Sequence, residues 1–267
     1  MNADFPTVTI LIATYNKSST LRLAVESVLW QTFADFELWV IGDGCTDDTT
    51  AVMQRFDDPR VHWYNLPENT GDQSAPHNEG LRRARGRYIA YLNHDDLWLP
   101  NHLQILKDTL EARDADFAFS ILEWIIPGRE PYAVIPDYPD APIPPEATAT
   151  LHRKSVVDRI GYWRPPHAVY SFPRADYFRR AQFNGMKFVL APALTALKFG
   201  VSKTSYSIET QQTEYLERVR SDPDFAHRET AALLARVQHE LERPVTLKRW
   251  RGQLSLAVKR AMAKRRI

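Results

Sequence analysis

The chain has one cysteine, Cys45, in 267 residues. That excludes an internal disulfide and a zinc cluster built on cysteines. A lone thiol fits a reducing compartment. Long apolar runs are missing too: none approaches the ~20 residues that cross a bilayer. The first residues, MNADFPTVTI, lack the basic start and apolar core of a signal peptide. A cytoplasmic protein is therefore expected. Two phosphate-binding signatures are absent as well. No Gly-x-Gly-x-x-Gly follows the first apolar run, and no Gly-x-x-x-x-Gly-Lys-Ser/Thr occurs.

One further absence is local. From Arg243 onward there are nine Lys or Arg and no Asp or Glu, so against a net charge of +1 the rest of the chain carries −8. In this stretch Leu247, Trp250, Leu254, Val258 and Ala261 fall at helical spacing, with basic residues between them. A basic amphipathic helix with Trp on its apolar side suits an anionic membrane surface. The competing expectation is a helix packed on its own domain with a solvated basic face. Nucleic acid is not expected, because no recognised binding module accompanies the charge.

What is present is ordinary globular composition, 44% hydrophobic and 25% charged. Val8 to Ala13 is an apolar, β-branched run of the kind buried on both faces of a sheet. Further strands are expected at Phe36–Ile41, Val61–Leu66 and Tyr88–Leu92, alternating with helical patterns at 21–29, 51–56 and 77–85. This alternation predicts an α/β protein with a mostly parallel sheet flanked by helices. Polar loops follow the strands: Thr14-Tyr15-Asn16, Asp43-Gly44-Cys45, Gly71-Asp72 and Asn93-His94-Asp95-Asp96. All would lie along one sheet edge, where open α/β sheets bind ligands. Asp95 and Asp96 end a strand there, and hard oxygen ligands in such a place suit Mg²⁺ or Mn²⁺ beside substrate phosphates. Asp also favours turns and helix starts, which is the plainer reading of the pair.

In the second half, a helix is expected from Pro100 to Arg113, strands at 116–120 and 122–126, and a short helix after Ser155. Residues 127–147 are rich in Pro and acid, and a loop of that length is functional or mobile. Residues 189–192 and 194–199 close the domain, with a loop at 202–207 and a helix from Phe225 to Leu241. The expected domains are 1–220, and 221–267 as a helical, basic, amphipathic extension.

The series Thr9-Ile10-Leu11-Ile12-Ala13-Thr14-Tyr15-Asn16, Asp43-Gly44-Cys45-Thr46-Asp47-Asp48-Thr49, Asn69-Thr70-Gly71, His77-Asn78-Glu79-Gly80, Ala84-Arg85-Gly86 and Asn93-His94-Asp95-Asp96 resembles the family 2 glycosyltransferases, which have the GT-A fold and invert configuration. The resemblance is close over about residues 7–115 and looser to about 200. It implies a nucleotide-sugar donor, UDP- or dTDP-linked, held over the strand ends. Ala13, Thr14 and Tyr15 match the wall around the base. Asp43 matches the acid that accepts from the ring N–H of uracil or thymine. Gly71 and Asp72 match the loop beside ribose or sugar, and Asn93 and His94 complete the donor set. Asp95 matches the acid that holds the divalent cation, and Asp96 the next acid, which orients the turn or reaches the metal through water. Further on, Gly161-Tyr162-Trp163-Arg164 precedes Asp176, which matches the general base. An acceptor hydroxyl on a glycan or lipid-linked glycan would lose its proton there.

Four positions depart from the family pattern. Asn93 stands where an acid is usual, Gly42 where the first of two acids is usual, and His77 where Arg is often found. Ala175 replaces a frequent Glu before the base. Tyr162 and Trp163 are candidate sugar platforms, and Arg164, Arg174 and Arg179 are open alternatives for the diphosphate. A nucleotidyltransferase, a silent nucleotide-sugar binder and a membrane scaffold are the rival functions.

Overall fold

The structure, a computed structural model, describes residues 5–134, 145–200 and 208–242. The middle of the Pro-rich stretch, the loop at 202–207 and the basic stretch at 244–267 lie outside the described residues.

The expected parallel half is present. β1 (Val8–Thr14), β2 (Phe36–Gly42), β3 (Val61–Asn65) and β4 (Tyr88–Tyr91) lie in the order β3-β2-β1-β4. The register Thr14↔Gly42↔Asn65 brings the ends of three of these strands level. α1 (Ser18–Leu29), α2 (Thr49–Met53) and α3 (Ser74–Arg83) connect them. Side chains alternate across β1 as the pleat requires. Val8, Ile10 and Ile12 join one core with Leu21 and Val25 of α1. Leu11 joins the opposite core with Leu81 of α3. Burial on both faces explains why the strand reads as one apolar run.

At the far end from the polar loops, Glu37 is buried on β2. It accepts from Thr9 Oγ1 (2.7 Å), Arg85 N–H (2.7 Å) and Arg85 Nε (2.9 Å). Burial pushes its carboxyl up, and these donors outweigh that and hold it below the usual range. The turn between α3 and β4 is thereby fastened to β1 and β2.

The second half extends the sheet. β5 (Asp96–Trp98), α4 (His102–Ala112), β6 (Phe117–Ile125), β7 (Tyr132–Val134), β8 (Thr150–Arg153), α5 (Ser155–Ile160), α6 (Pro173–Phe183) and β9 (Phe188–Phe199) follow. The full order is β3-β2-β1-β4-β8-β6-β9-β5, with β7 on β6. β1, β2, β3, β4, β6 and β9 run one way; β5, β7 and β8 run against them. This is the mostly parallel, helix-flanked sheet expected of a GT-A fold. α7 (Ile208–Ser221) and α8 (Phe225–Glu242) close the chain's described part. Phe225 and Leu233 of α8 share an apolar cluster with Leu97, Leu197 and Phe199, so α8 joins the core on the far side of the expected boundary at 220/221.

Two local expectations change. Residues 96–98 form a strand, paired antiparallel with β9 through Asp96↔Lys198, where the sequence runs from polar turn straight to helix. Three residues are too few to show a period, and the partner lies about a hundred residues away. The two strands at 116–126 are one, β6, whose pairing with β9 shifts register around Ile121. Pro192 of β9 falls in this gap; lacking an N–H, it suits a bulge.

Candidate active site

The loops after β1 and β2 are locked together by Asn16, whose φ of 48° is left-handed, a conformation Asn tolerates better than most residues. Its Oδ1 accepts from the N–H groups of Thr46 (2.8 Å) and Asp47 (3.3 Å). Gly42 has a packing reason to replace an acid. A Cβ there would lie 2.3 Å from Asn65 Oδ1 and 2.6 Å from the Trp63 ring. Gly44 has φ +70° and would press a Cβ to 2.4 Å from the backbone of residues 68–69.

Asp43 is nearly buried, and its carboxylate fastens the next loop. It accepts from Thr70 N–H (3.1 Å), Thr70 Oγ1 (2.7 Å) and Gly71 N–H (3.1 Å). Asp72 in turn accepts from Ser74 N–H at 2.7 Å, at the start of α3. The outcome is one pocket of about 370 Å³. Ala13, Thr14, Tyr15, Asp43, Gly71, Asp72 and His94 all line it, with Asn69, Gln73 and Pro76. The sequence named seven of these ten. Thr14 Oγ1 is buried and has no hydrogen-bond partner among the described residues. A buried orphan hydroxyl facing a pocket is a ready ligand contact. Tyr15 stands 45% exposed at the pocket, its ring free to cover a flat ligand. His94 Nδ1 lies 3.2 Å from the Ala13 carbonyl. A carbonyl only accepts, so Nδ1 is the donor in this contact.

The acid pair splits into two roles. Asp96 is 0% exposed. Its oxygens take Thr148 Oγ1 (2.6 Å), Asn93 Nδ2 (2.7 Å) and the Phe199 N–H (3.3 Å), with Lys198 Nζ 3.6 Å away. Burial pushes its carboxyl up to about 6, with Asp95 adding and Lys198, Thr148 and Asn93 opposing. Of the two roles the resemblance allows, this geometry supports orienting the turn. Asp95 is half-buried and makes no hydrogen bond or ion pair among the described residues. No group of three His, Cys, Asp or Glu able to hold a metal stands together among the described residues. One open carboxylate nonetheless fits Mg²⁺ or Mn²⁺, because Mg²⁺ binds through one or two carboxylates together with substrate phosphates.

Asn93 also has a local reason. Its amide N–H donates to Asp96, so a carboxylate at 93 would face another carboxylate in the same buried space. Asn93→Asp restores the acid usual in the family and is expected to destabilise the fold by roughly 2 kcal/mol. Thermal unfolding at pH 7.5 checks this; an unchanged melting temperature would refute it.

Asp176 lies in the first turn of α6, outside the 370 Å³ pocket. It accepts from Arg180 Nε at 2.7 Å, and Arg164 Nη1 is 3.5 Å away. Arg180 is itself fixed on the carbonyls of Ile160 and Tyr162. The Arg164 carbonyl accepts from Ser74 Oγ (3.0 Å), which ties this loop to the start of α3. An ion-pair chain runs from α6 to the acid pair. Arg174 meets Glu146 (2.8 Å), Glu146 meets Lys198 (3.5 Å), and Lys198 meets Asp96 (3.6 Å). Burial opposes the charge on Lys198, but Asp96, Glu146 and Asp95 together hold its pKa above the usual lysine value.

The open alternatives now separate. Arg174 is committed to Glu146, Arg179 is exposed on α6, and Arg164, 54% exposed beside Asp176, is the one that can face a ligand. Trp163 is no platform: it is 2% exposed and stacked on Tyr177 at 4.9 Å. His152 is buried in β8. Its Nδ1 meets the Arg153 carbonyl (2.8 Å), and its Nε2 meets the Tyr91 hydroxyl (3.1 Å). Sequence reasoning missed Thr148, Glu146, Arg180 and Lys198. Only Arg180 carried a signal, the i,i+4 spacing from Asp176.

Residues 9–171 match the family described as Glycosyl transferase family 2. The putative teichuronic acid biosynthesis glycosyltransferase TuaG of Bacillus subtilis (strain 168) is 33% identical over 117 residues, 43% of this chain and 46% of its own length. The UDP-Glc:alpha-D-GlcNAc-diphosphoundecaprenol beta-1,3-glucosyltransferase WfgD of Escherichia coli is 32% identical over 118 residues, 44% of this chain and 46% of its own. The succinoglycan biosynthesis protein ExoO of Rhizobium meliloti (strain 1021) is 36% identical over 118 residues, 44% of this chain and 34% of its own. The chain spans less than half the length of these curated relatives. Among solved structures, S. aureus TarS 1-349 in complex with UDP-GlcNAc aligns with a TM-score of 0.60 at 16% identity, over 86% of this chain and 71% of that one. That likeness concerns the fold. With well over half its length matched, and the loops of that match gathered at one sheet edge, the chain belongs to glycosyl transferase family 2.

Proposed function

We propose that this protein transfers a sugar, with inversion, from a nucleoside-diphosphate sugar to a hydroxyl of a glycan or lipid-linked acceptor in bacterial surface polysaccharide assembly. The observation that carries this reading is the single pocket formed by Thr14, Tyr15, Asp43, Gly71 and Asp72 at the ends of β1 and β2. UDP is the favoured nucleotide, with dTDP next. The TarS structure holds UDP-GlcNAc, and the name of WfgD specifies a UDP-linked donor and a diphosphoundecaprenol acceptor.

In this mechanism Asp43 and Tyr15 select and cover the base. Asp95 would hold a divalent cation, Mn²⁺ or Mg²⁺, which supplies charge neutralisation on the leaving diphosphate. Asp176 takes the proton of the acceptor hydroxyl. That oxygen forms a bond to the anomeric carbon as the bond to the diphosphate breaks on the opposite face. Arg180 orients the carboxylate, and Arg164 lies beside it. The basic stretch 244–267 is assigned to an anionic membrane surface, where a lipid-linked acceptor would be met. No helix among the described residues is long and apolar enough to cross a membrane.

A panel of UDP-, dTDP- and GDP-sugars with Mn²⁺, scored by nucleotide release, tests the reading. Turnover of at least one donor, giving a product of opposite anomeric configuration, is expected. Asp43→Ala removes three hydrogen bonds to a carboxylate, each worth about 1.5–3 kcal/mol. These bonds hold the pocket's own loop, so the ligand would have to order residues 70–72 itself, and nucleotide binding should weaken by roughly tenfold or more, measured by calorimetry. A silent nucleotide-sugar binder is the second reading. It is favoured by the contact that already occupies Asp176, which accepts from Arg180 Nε at 2.7 Å. Donor binding with no release on any acceptor would select it.

A further inference from the structure

The segment between β3 and α3 is a wall with two sides. Asn69, Gly71 and Asp72 face the pocket proposed for the nucleotide. Glu68 and Thr70 face a second groove, of about 340 Å³, along the outer flank of α3. Ala75, Asn78 and Arg82, about one turn apart, form its floor, and Pro165 closes one end.

The chemistry of this groove argues against a second anion site. Glu68 is exposed and has no hydrogen bond or ion pair among the described residues, so it offers unpaired acceptor oxygens and repels phosphate. Arg82 is already shared between Glu79 (3.0 Å) and the face of Tyr162 (5.5 Å). A carboxylate and a guanidinium with small apolar surfaces between them suit a neutral ring bearing hydroxyls: charged ends make the stronger hydrogen bonds, and ring C–H groups lie on Ala75 and Pro165. The end of the groove that Pro165 closes is also the end nearest in the chain to a partner of the proposed base. Pro165 follows Arg164, whose guanidinium is 3.5 Å from Asp176.

We propose that this groove is a subsite for the penultimate sugar of an oligosaccharide acceptor whose terminal hydroxyl reaches Asp176. The inference rests on the glycosyltransferase reading and adds to it the class of acceptor: an oligosaccharide in preference to a single sugar. The groove shares Thr70 with the Asp43 clamp, so a bound glycan touches the same loop that encloses the nucleotide.

The test uses the full chain, saturated with UDP, on an array of immobilised mono- to hexasaccharides. Two altered proteins accompany it, the double variant Glu68→Ala/Arg82→Ala and the groove-filling Ala75→Trp, each checked for an unchanged melting temperature. The unaltered protein should retain some oligosaccharides at least tenfold better than their terminal monosaccharides. Both variants should lose that preference while binding UDP as before. The inference is overturned if the unaltered protein retains no glycan, shows no preference for length, or keeps its preference in both variants. Failure of the unaltered protein to bind UDP by calorimetry would overturn the donor reading, and this inference with it.

Discussion

Replacing Asp176 by Asn is expected to lower kcat by two to four orders of magnitude, the range a positioned general base supplies. The substitution keeps the shape of the side chain, and its amide oxygen still accepts from Arg180 Nε, which lies 2.7 Å from Asp176 in the unaltered chain. The first turn of α6 therefore stays in place. What is lost is the ability to take a proton from the acceptor hydroxyl. Nucleotide affinity should stay within about twofold, because Asp176 does not line the donor pocket. A loss confined to kcat, with KM for the donor unchanged, marks an interaction made in the transition state. Equal activity in Asp176→Asn and the unaltered protein would remove Asp176 from the mechanism.

The second large effect is on stability in mild acid. His77, His102 and His152 are buried, and burial holds them down to about 3, 3 and 4. The Thr195 hydrogen bond of His102 and the Arg153 hydrogen bond of His152 oppose that shift only in part. Unfolded, each titrates near 6.5. Between that value and pH 4 the unfolded chain binds protons the folded chain refuses, so stability falls as pH falls. From pH 7 to pH 5 each histidine costs about 2 kcal/mol. Asp96 acts in the opposite sense: its folded value, about 6, lies above the unfolded one, so its protonation restores about 1 kcal/mol over the same interval. The net loss is about 4–5 kcal/mol, a large share of the ~5–15 kcal/mol of a typical domain. Melting temperature should drop by roughly 10 °C or more, followed by circular dichroism at pH 7 and pH 5. A drop under 2 °C would mean that these rings are not held neutral.

The sequence displayed the parallel half of the fold because each of its signals is local. VTILIA is buried on both faces, and each strand ends in its own polar loop, so Thr14, Asp43, Gly71 and His94 could be placed at one edge before any contact was known. The rest depends on partners distant in the chain. Asp95 and Asp96 are adjacent and chemically identical. Only Thr148, Lys198 and the Phe199 N–H, arriving from 52 to 103 positions away, bury one and leave the other open. Glu146 sits in a Pro-rich stretch that carries no period. Trp163 reads as an exposed platform because an aromatic beside a catalytic motif looks the same whether it faces solvent or, as here, the Tyr177 ring. The departures at Gly42 and Asn93 look like lost function in one dimension and turn out to have neighbours that dictate them.

The salt-linked path Arg174–Glu146–Lys198–Asp96 has a consequence for divergence. It works as a strut between α6 and the sheet, and it makes no ion pair with residues 166–171 on the rim. Descendants of this chain are free to remodel that rim for new polymers while reactivity is inherited intact.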